Sequence, residues 1–138
     1  MALRRLQRRF EKRSLIAAIE DFKREVDGIP IIAEGRKDEI PLTSLGFKNI
    51  FSISGKPLHT IADYISSEYG SVLILTDYDE EGKKKEDALT KLFNHKGTKT
   101  LPRYRHLFRN IFGVIKIEDI NSFVKAFDYS SFASCKML

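Results

Sequence analysis

At 138 residues the chain has room for one domain with one proper core, and 42% hydrophobic with 31% charged residues is a globular rather than a disordered balance. A single cysteine, Cys135, excludes an internal disulfide and fits a reducing, cytoplasmic setting, and no apolar run approaches the roughly 20 residues that span a membrane. The net charge of +5 resides in residues 1–13, where Arg4, Arg5, Arg8, Arg9, Lys12 and Arg13 stand against Glu11, while the remainder balances at 18 bases and 18 acids. The lone glutamine, Gln7, and the Lys/Glu-rich surface lean toward a heat-adapted source.

Leu3, Leu6 and Phe10, continued by Leu15, Ile19, Phe22 and Val26, recur every three to four residues, which predicts one helix over residues 3–26. Its basic face has three readings. It is a solvated surface, a grip on nucleic-acid phosphates, or, least in keeping with Glu11 and the scarcity of serine, a presequence or membrane-surface helix. Asp27-Gly28 ends the helix and marks the only internal boundary, dividing a basic N-terminal helix (1–28) from a main domain (29–128) and a tail (129–138).

Residues 29–33 (IPIIA) form a short apolar run that ends in Glu34-Gly35. A short helix over 38–46 follows, with Pro41 in its first turn, and then a strand over 48–53 that runs into Ser54-Gly55-Lys56. The helix predicted over 57–69 gathers Leu58, Ile61, Ala62 and Ile65 on one face and stops at Gly70. Residues 71–82 (SVLILTDYDEEG) pass from a buried strand straight into Asp77, Asp79, Glu80 and Glu81, and Gly82 closes the turn. A helix over 83–95 and a short fourth strand over 98–101 come next. The segment PRYRHLFRNIF then reads as a helix with Leu107, Phe108, Ile111 and Phe112 inward and Arg103, Arg105, His106 and Arg109 outward. That pattern suits RNA or single-stranded DNA, and equally an ordinary amphipathic helix. An edge strand over 114–117 and a last helix over 120–127, capped by Asp119, complete the order. The alternation specifies an α/β fold: a doubly wound, mostly parallel sheet of about four strands flanked by helices.

Glu34 and Asp77 end strands whose carboxyl ends share one edge of the sheet, and Asp79 reaches the same point from the turn. Carboxylates crowded at one spot repel unless a cation sits among them, and without histidine or cysteine they suit a hard ion such as Mg²⁺. Glu81 is either a further ligand or simply an acid favoured at a helix N-terminus. Gly35, Gly55, Lys56 and Gly82 are candidate phosphate contacts at the same edge, although Gly55-Lys56 reads equally as a plain turn. Tyr78 reads as a packing residue, and His59 as a surface residue.

An apolar strand ending in Glu34-Gly35 with Asp38, and another ending in Asp77-Tyr78-Asp79-Glu80-Glu81-Gly82, resemble the Toprim domain of topoisomerases, primases and RNA-maturing ribonucleases. The resemblance covers about residues 29–127 and is greatest to the small stand-alone archaeal members. It implies general acid/base duty for Glu34 and Mg²⁺ held by Asp77 and Asp79. Two functions follow: a Mg²⁺-dependent nuclease on structured RNA, or a non-catalytic RNA or ribonucleoprotein binding module that retains the metal site. Metal-dependent chemistry on a small nucleotide is a third, and a homodimer is left open.

Overall fold

Four strands, β1 (Ile31–Ala33), β2 (Ile50–Ser52), β3 (Ser71–Ile74) and β4 (Lys99–Thr100), lie in the order β2-β1-β3-β4 in the computed structural model. The model describes the backbone of residues 2–127 and the side chains of residues 13–125. All three pairings are parallel, with Ile31 opposite both Ile50 and Leu73, and Ser71 opposite Lys99. Among the described residues, six helices, α1 (Ala2–Glu25), α2 (Arg36–Ser44), α3 (Leu58–Glu68), α4 (Glu80–Lys96), α5 (Pro102–Phe112) and α6 (Ile120–Phe127), connect and cover the sheet.

The two-residue period of a strand divides the core into two layers. Ile31, Ala33, Leu73 and Leu75 point to one face, where Ile16, Ile19, Phe22 and Val26 of the α1 segment meet Phe108 and Phe112 of α5. Ile32, Val72 and Ile74 point to the other, against Ile61, Ala62 and Ile65 of α3 and Leu89 and Phe93 of α4. Burial on both faces is why these strands read as continuous apolar runs. Phe22 is the hub of the first layer, with edge-on contacts to Phe47 (5.9 Å between centroids), Tyr104 (6.1 Å) and Phe108 (5.7 Å).

Three expectations are corrected. Helix α2 begins at Arg36, because Gly35 in extended conformation is its N-cap, and Pro41 lies inside the helix. Residues 114–117 form no strand: the Ile115 carbonyl accepts from the Tyr78 N–H (2.7 Å), and the Ile117 N–H, at the start of a 3-10 turn (Ile117–Asp119), donates to Asp77 Oδ1 (2.9 Å). The hydrogen bonds of this segment thus go to the turn after β3 rather than to a strand. On α5, Leu107 is exposed whereas Arg105, placed outward by its charge, is 5% exposed and shares the inward stripe with Phe108 and Phe112. Its guanidinium is bound to main-chain carbonyls and to Glu86, so it does not present a free cation to a phosphate. Arg103, His106 and Arg109 are exposed, as is Arg13. The side chains of Arg4, Arg5, Arg8, Arg9 and Lys12, and residues 128–138 with Cys135, lie outside the described residues.

Phe22→Ala removes the ring that joins α1 to α5 and the sheet, and is expected to lower unfolding stability by about 3–5 kcal/mol in a denaturant titration.

Candidate metal centre

β1 and β3 are neighbours, and the chain leaves β1 toward β2 on one side and reaches β3 on the other. The carboxyl ends of these two strands therefore flank a topological switch point, where open α/β sheets form their crevice. Glu34 follows β1 and Asp77 follows β3. The Asp77 N–H donates to Glu34 Oε1 (3.3 Å), which brings together residues 43 positions apart.

The third acid, Asp38, is not among the ligands expected from the sequence. Asp38, in the first turn of α2, accepts the Gly35 N–H at Oδ2 (3.3 Å), the half of a capping box that a glycine N-cap permits. Its ligand atom lies with those of Glu34 and Asp77 within 4.8 Å of one another. The spacing Gly-x-x-Asp at a helix start was the signal available for it. Asp79 caps a helix. It is the N-cap of α4, its Oδ1 accepting the Gly82 N–H (2.8 Å), and it is not part of the group of three. Glu81 is exposed in the first turn of α4, where the helix dipole favours an acid, and also stands outside the group.

The acids lie in a cleft of about 770 Å³ whose walls include Arg36, Lys37, Ser54, Gly55, Lys85 and Glu118. Gly35 lines it too, and Gly55, at φ +72°, makes the left-handed turn before exposed Lys56. Gly82, a candidate phosphate contact, makes a close approach within the turn. It is buried, a Cβ there would overlap the carbonyl of Asp77, and its own carbonyl accepts the Thr76 hydroxyl (2.7 Å). Tyr78 packs as expected: its hydroxyl donates to the Arg105 carbonyl (2.7 Å), and burial pushes its pKa up.

The electrostatics of the cleft are unfavourable to three charges alone. Burial first, and then the Asp77 carboxylate, push the Asp38 carboxyl up to about 6 from 3.8, against the opposing Gly35 hydrogen bond, with Glu34 and Glu118 adding to the rise. Lys85 offers partial relief, its Nζ 3.5 Å from Glu34 Oε2. A donor set of three carboxylates, with no nitrogen or sulfur ligand, fits a hard divalent cation, which would be held by Glu34, Asp38 and Asp77.

An α/β domain with carboxylates gathered at its switch point is thus defined by fold and site together. Residues 29–111 match the Toprim domain, and the chain belongs to that family. A UPF0292 protein of Methanocaldococcus jannaschii is 36% identical over 120 residues, spanning 83% of this chain and 91% of the relative. A UPF0292 protein of Pyrococcus abyssi is 44% identical over 75 residues, covering 54% of this chain and 55% of its own. Among solved structures, a protein of Aquifex aeolicus superposes with a TM-score of 0.67 at 24% identity, covering 75% of this chain and 94% of that one, a likeness of fold. Among the described residues, no helix is long and apolar enough to cross a membrane.

Because the folded state binds the Asp38 proton more tightly than the unfolded chain does, this group favours folding most below about pH 4. That contribution is lost as pH rises through about 6. Asp38→Asn keeps an acceptor for Gly35 and removes the charge. Without divalent ions it is expected to be more stable than wild type near pH 7, by on the order of 1–3 kcal/mol, with the difference closing near pH 4. Denaturant titrations at the two pH values check this, and added Mg²⁺ should stabilise wild type far more than the variant.

Proposed function

We propose that this protein is a Mg²⁺-dependent nuclease that hydrolyses phosphodiester bonds in structured RNA, and that it works in the cytoplasm of a heat-adapted archaeon. The observation that carries the reading is the convergence of Glu34, Asp38 and Asp77 in a cleft walled by Arg36, Lys37 and Lys85. Bases on the wall draw a polyanion toward acids that, by themselves, would repel it. The cation, when bound, neutralises charge on the scissile phosphate. Glu34 is the acid/base: it borders the cleft at the end of β1 and takes a proton from water or returns one to the leaving oxygen. Asp77 and Asp38 would hold that ion beside Glu34. Asp79 holds the first turn of α4 still beneath them.

Beyond the cleft, the exposed Arg103, His106 and Arg109 of α5 provide a phosphate-binding surface suited to RNA, and the sequence adds a run of bases over residues 4–13. Such a surface also fits docking within a ribonucleoprotein assembly or as a homodimer. Relatives from Methanocaldococcus, Pyrococcus and Thermococcus support the heat-adapted archaeal setting.

One observation favours a second reading, a non-catalytic binding module. Lys85 already supplies a cation to Glu34, its Nζ 3.5 Å from Oε2.

Labelled structured RNA and single-stranded DNA, incubated with Mg²⁺ at low and moderate salt, separate the two. The nuclease reading expects Mg²⁺-dependent cutting of RNA that falls by about a hundredfold or more in Glu34→Gln while binding persists. Absence of cutting, with salt-sensitive binding that survives both Glu34→Gln and Asp77→Asn, would sink it in favour of the module.

A further inference from the structure

The Asp77 carbonyl is bound by a side chain from outside the cleft. In a strand, alternate residues turn their N–H and C=O groups to opposite sides. The N–H groups of Leu73 and Leu75 donate toward β1, to Pro30 (2.9 Å) and Ile32 (2.8 Å). The carbonyls of Ile74 and Thr76 therefore face the β4 side. There β4 has already ended, since it pairs only with Ser71 and Val72. Buried carbonyls without donors would destabilise the strand end at the point where it carries a functional acid.

Arg105 supplies the missing donors. Its Nη1 donates to the carbonyls of Ile74 (3.2 Å) and Thr76 (2.7 Å), and its Nη2 to that of Asp77 (3.0 Å). Glu86 of α4 balances the buried charge at Nε (2.8 Å), and the guanidinium lies 4.2 Å from the centroid of the Tyr78 ring. One planar fork thus replaces a strand neighbour for three carbonyls.

The same contacts fix Asp77 in two ways. The Asp77 carbonyl is held between Arg105 Nη2 and the bare face of Gly82. The Asp77 carboxylate accepts the Ile117 N–H, and Ile117 lies on the segment that continues from α5, the helix Arg105 anchors. We propose that Arg105 is a positioning residue for the metal centre, holding Asp77 in the geometry in which its carboxylate meets Glu34 and Asp38. Lysine cannot take its place, because an ammonium cannot span three carbonyls and Glu86 in one plane. The proposal rests on reading Glu34, Asp38 and Asp77 as the metal group.

Arg105→Lys, Glu86→Gln and Tyr78→Phe test it on the full chain. Two quantities are read: Mn²⁺ affinity by calorimetry near neutral pH, and amide hydrogen exchange at Ile117 in the metal-free protein. Arg105→Lys is expected to weaken Mn²⁺ binding by about tenfold or more and to speed exchange at Ile117. Glu86→Gln should do both to a smaller degree. Tyr78→Phe removes the hydroxyl bond to the Arg105 backbone while leaving the guanidinium contacts intact, so it should lower stability with Mn²⁺ affinity and Ile117 exchange unchanged. Folded Arg105→Lys with wild-type Mn²⁺ affinity and wild-type exchange would overturn the proposal, as would losses that merely follow stability across all three variants. If Arg105→Lys does not fold, Glu86→Gln decides on the same two readouts. Wild type that binds no Mn²⁺ would defeat the metal reading, and exchange at Ile117 would still decide whether Arg105 positions Asp77.

Discussion

The carboxyl end of β3 extends past the strand beside it, and a chain in that position has carbonyls with no main-chain partner. The structure answers with the side chain of Arg105, a cation placed among carbonyl dipoles and matched by Glu86. Much of the architecture follows from that solution. Helix α5 must lie with Arg105 inward, which turns Leu107 to solvent and leaves Arg103, His106 and Arg109 on the outer side. Because α5 is so oriented, Phe108 and Phe112 enter the same layer as Phe22, and α1 packs on the sheet through them.

Apolar runs and periodicity made the element order legible, since short doubly buried strands and amphipathic helices leave unlike patterns in a sequence. The meeting of Glu34 with Asp77 was legible for the same reason: alternating strands and helices place both at one sheet edge. What could not be read was how local hydrogen bonds divide the acids among tasks. Asp79 and Asp38 look alike in sequence, each an acid near a glycine. One is an N-cap whose carboxylate is taken by Gly82, whereas the other sits one turn into α2, leans back over Gly35 and joins the group of three. Arg105 was misplaced because charge was weighed above position. Its spacing of three and seven residues from Phe108 and Phe112 puts it on the buried stripe, and an arginine there signals acceptors inside. Residues 114–117 resembled an edge strand because apolar runs do not reveal whether the main chain bonds to a strand or to a turn.

Charge is arranged in two concentric ways. Inside the cleft, like charges are forced together, and Asp38 responds by holding its proton more tightly. On the walls stand Arg36, Lys37 and Lys85, with Lys85 3.5 Å from Glu34.

The brevity of β4 also bears on assembly. An unpaired strand edge invites a strand from another chain, and long, flat edges are routes to aggregation. Here, among the described residues, the outer margin of the sheet beyond β3 consists of Lys99 and Thr100 before Leu101 and Pro102 turn the chain into α5. The stretch of β3 that β4 leaves bare is closed by Arg105. A foreign peptide therefore meets two strand residues, then Leu101 and a proline, which disfavours growth of the sheet by strand addition along β4.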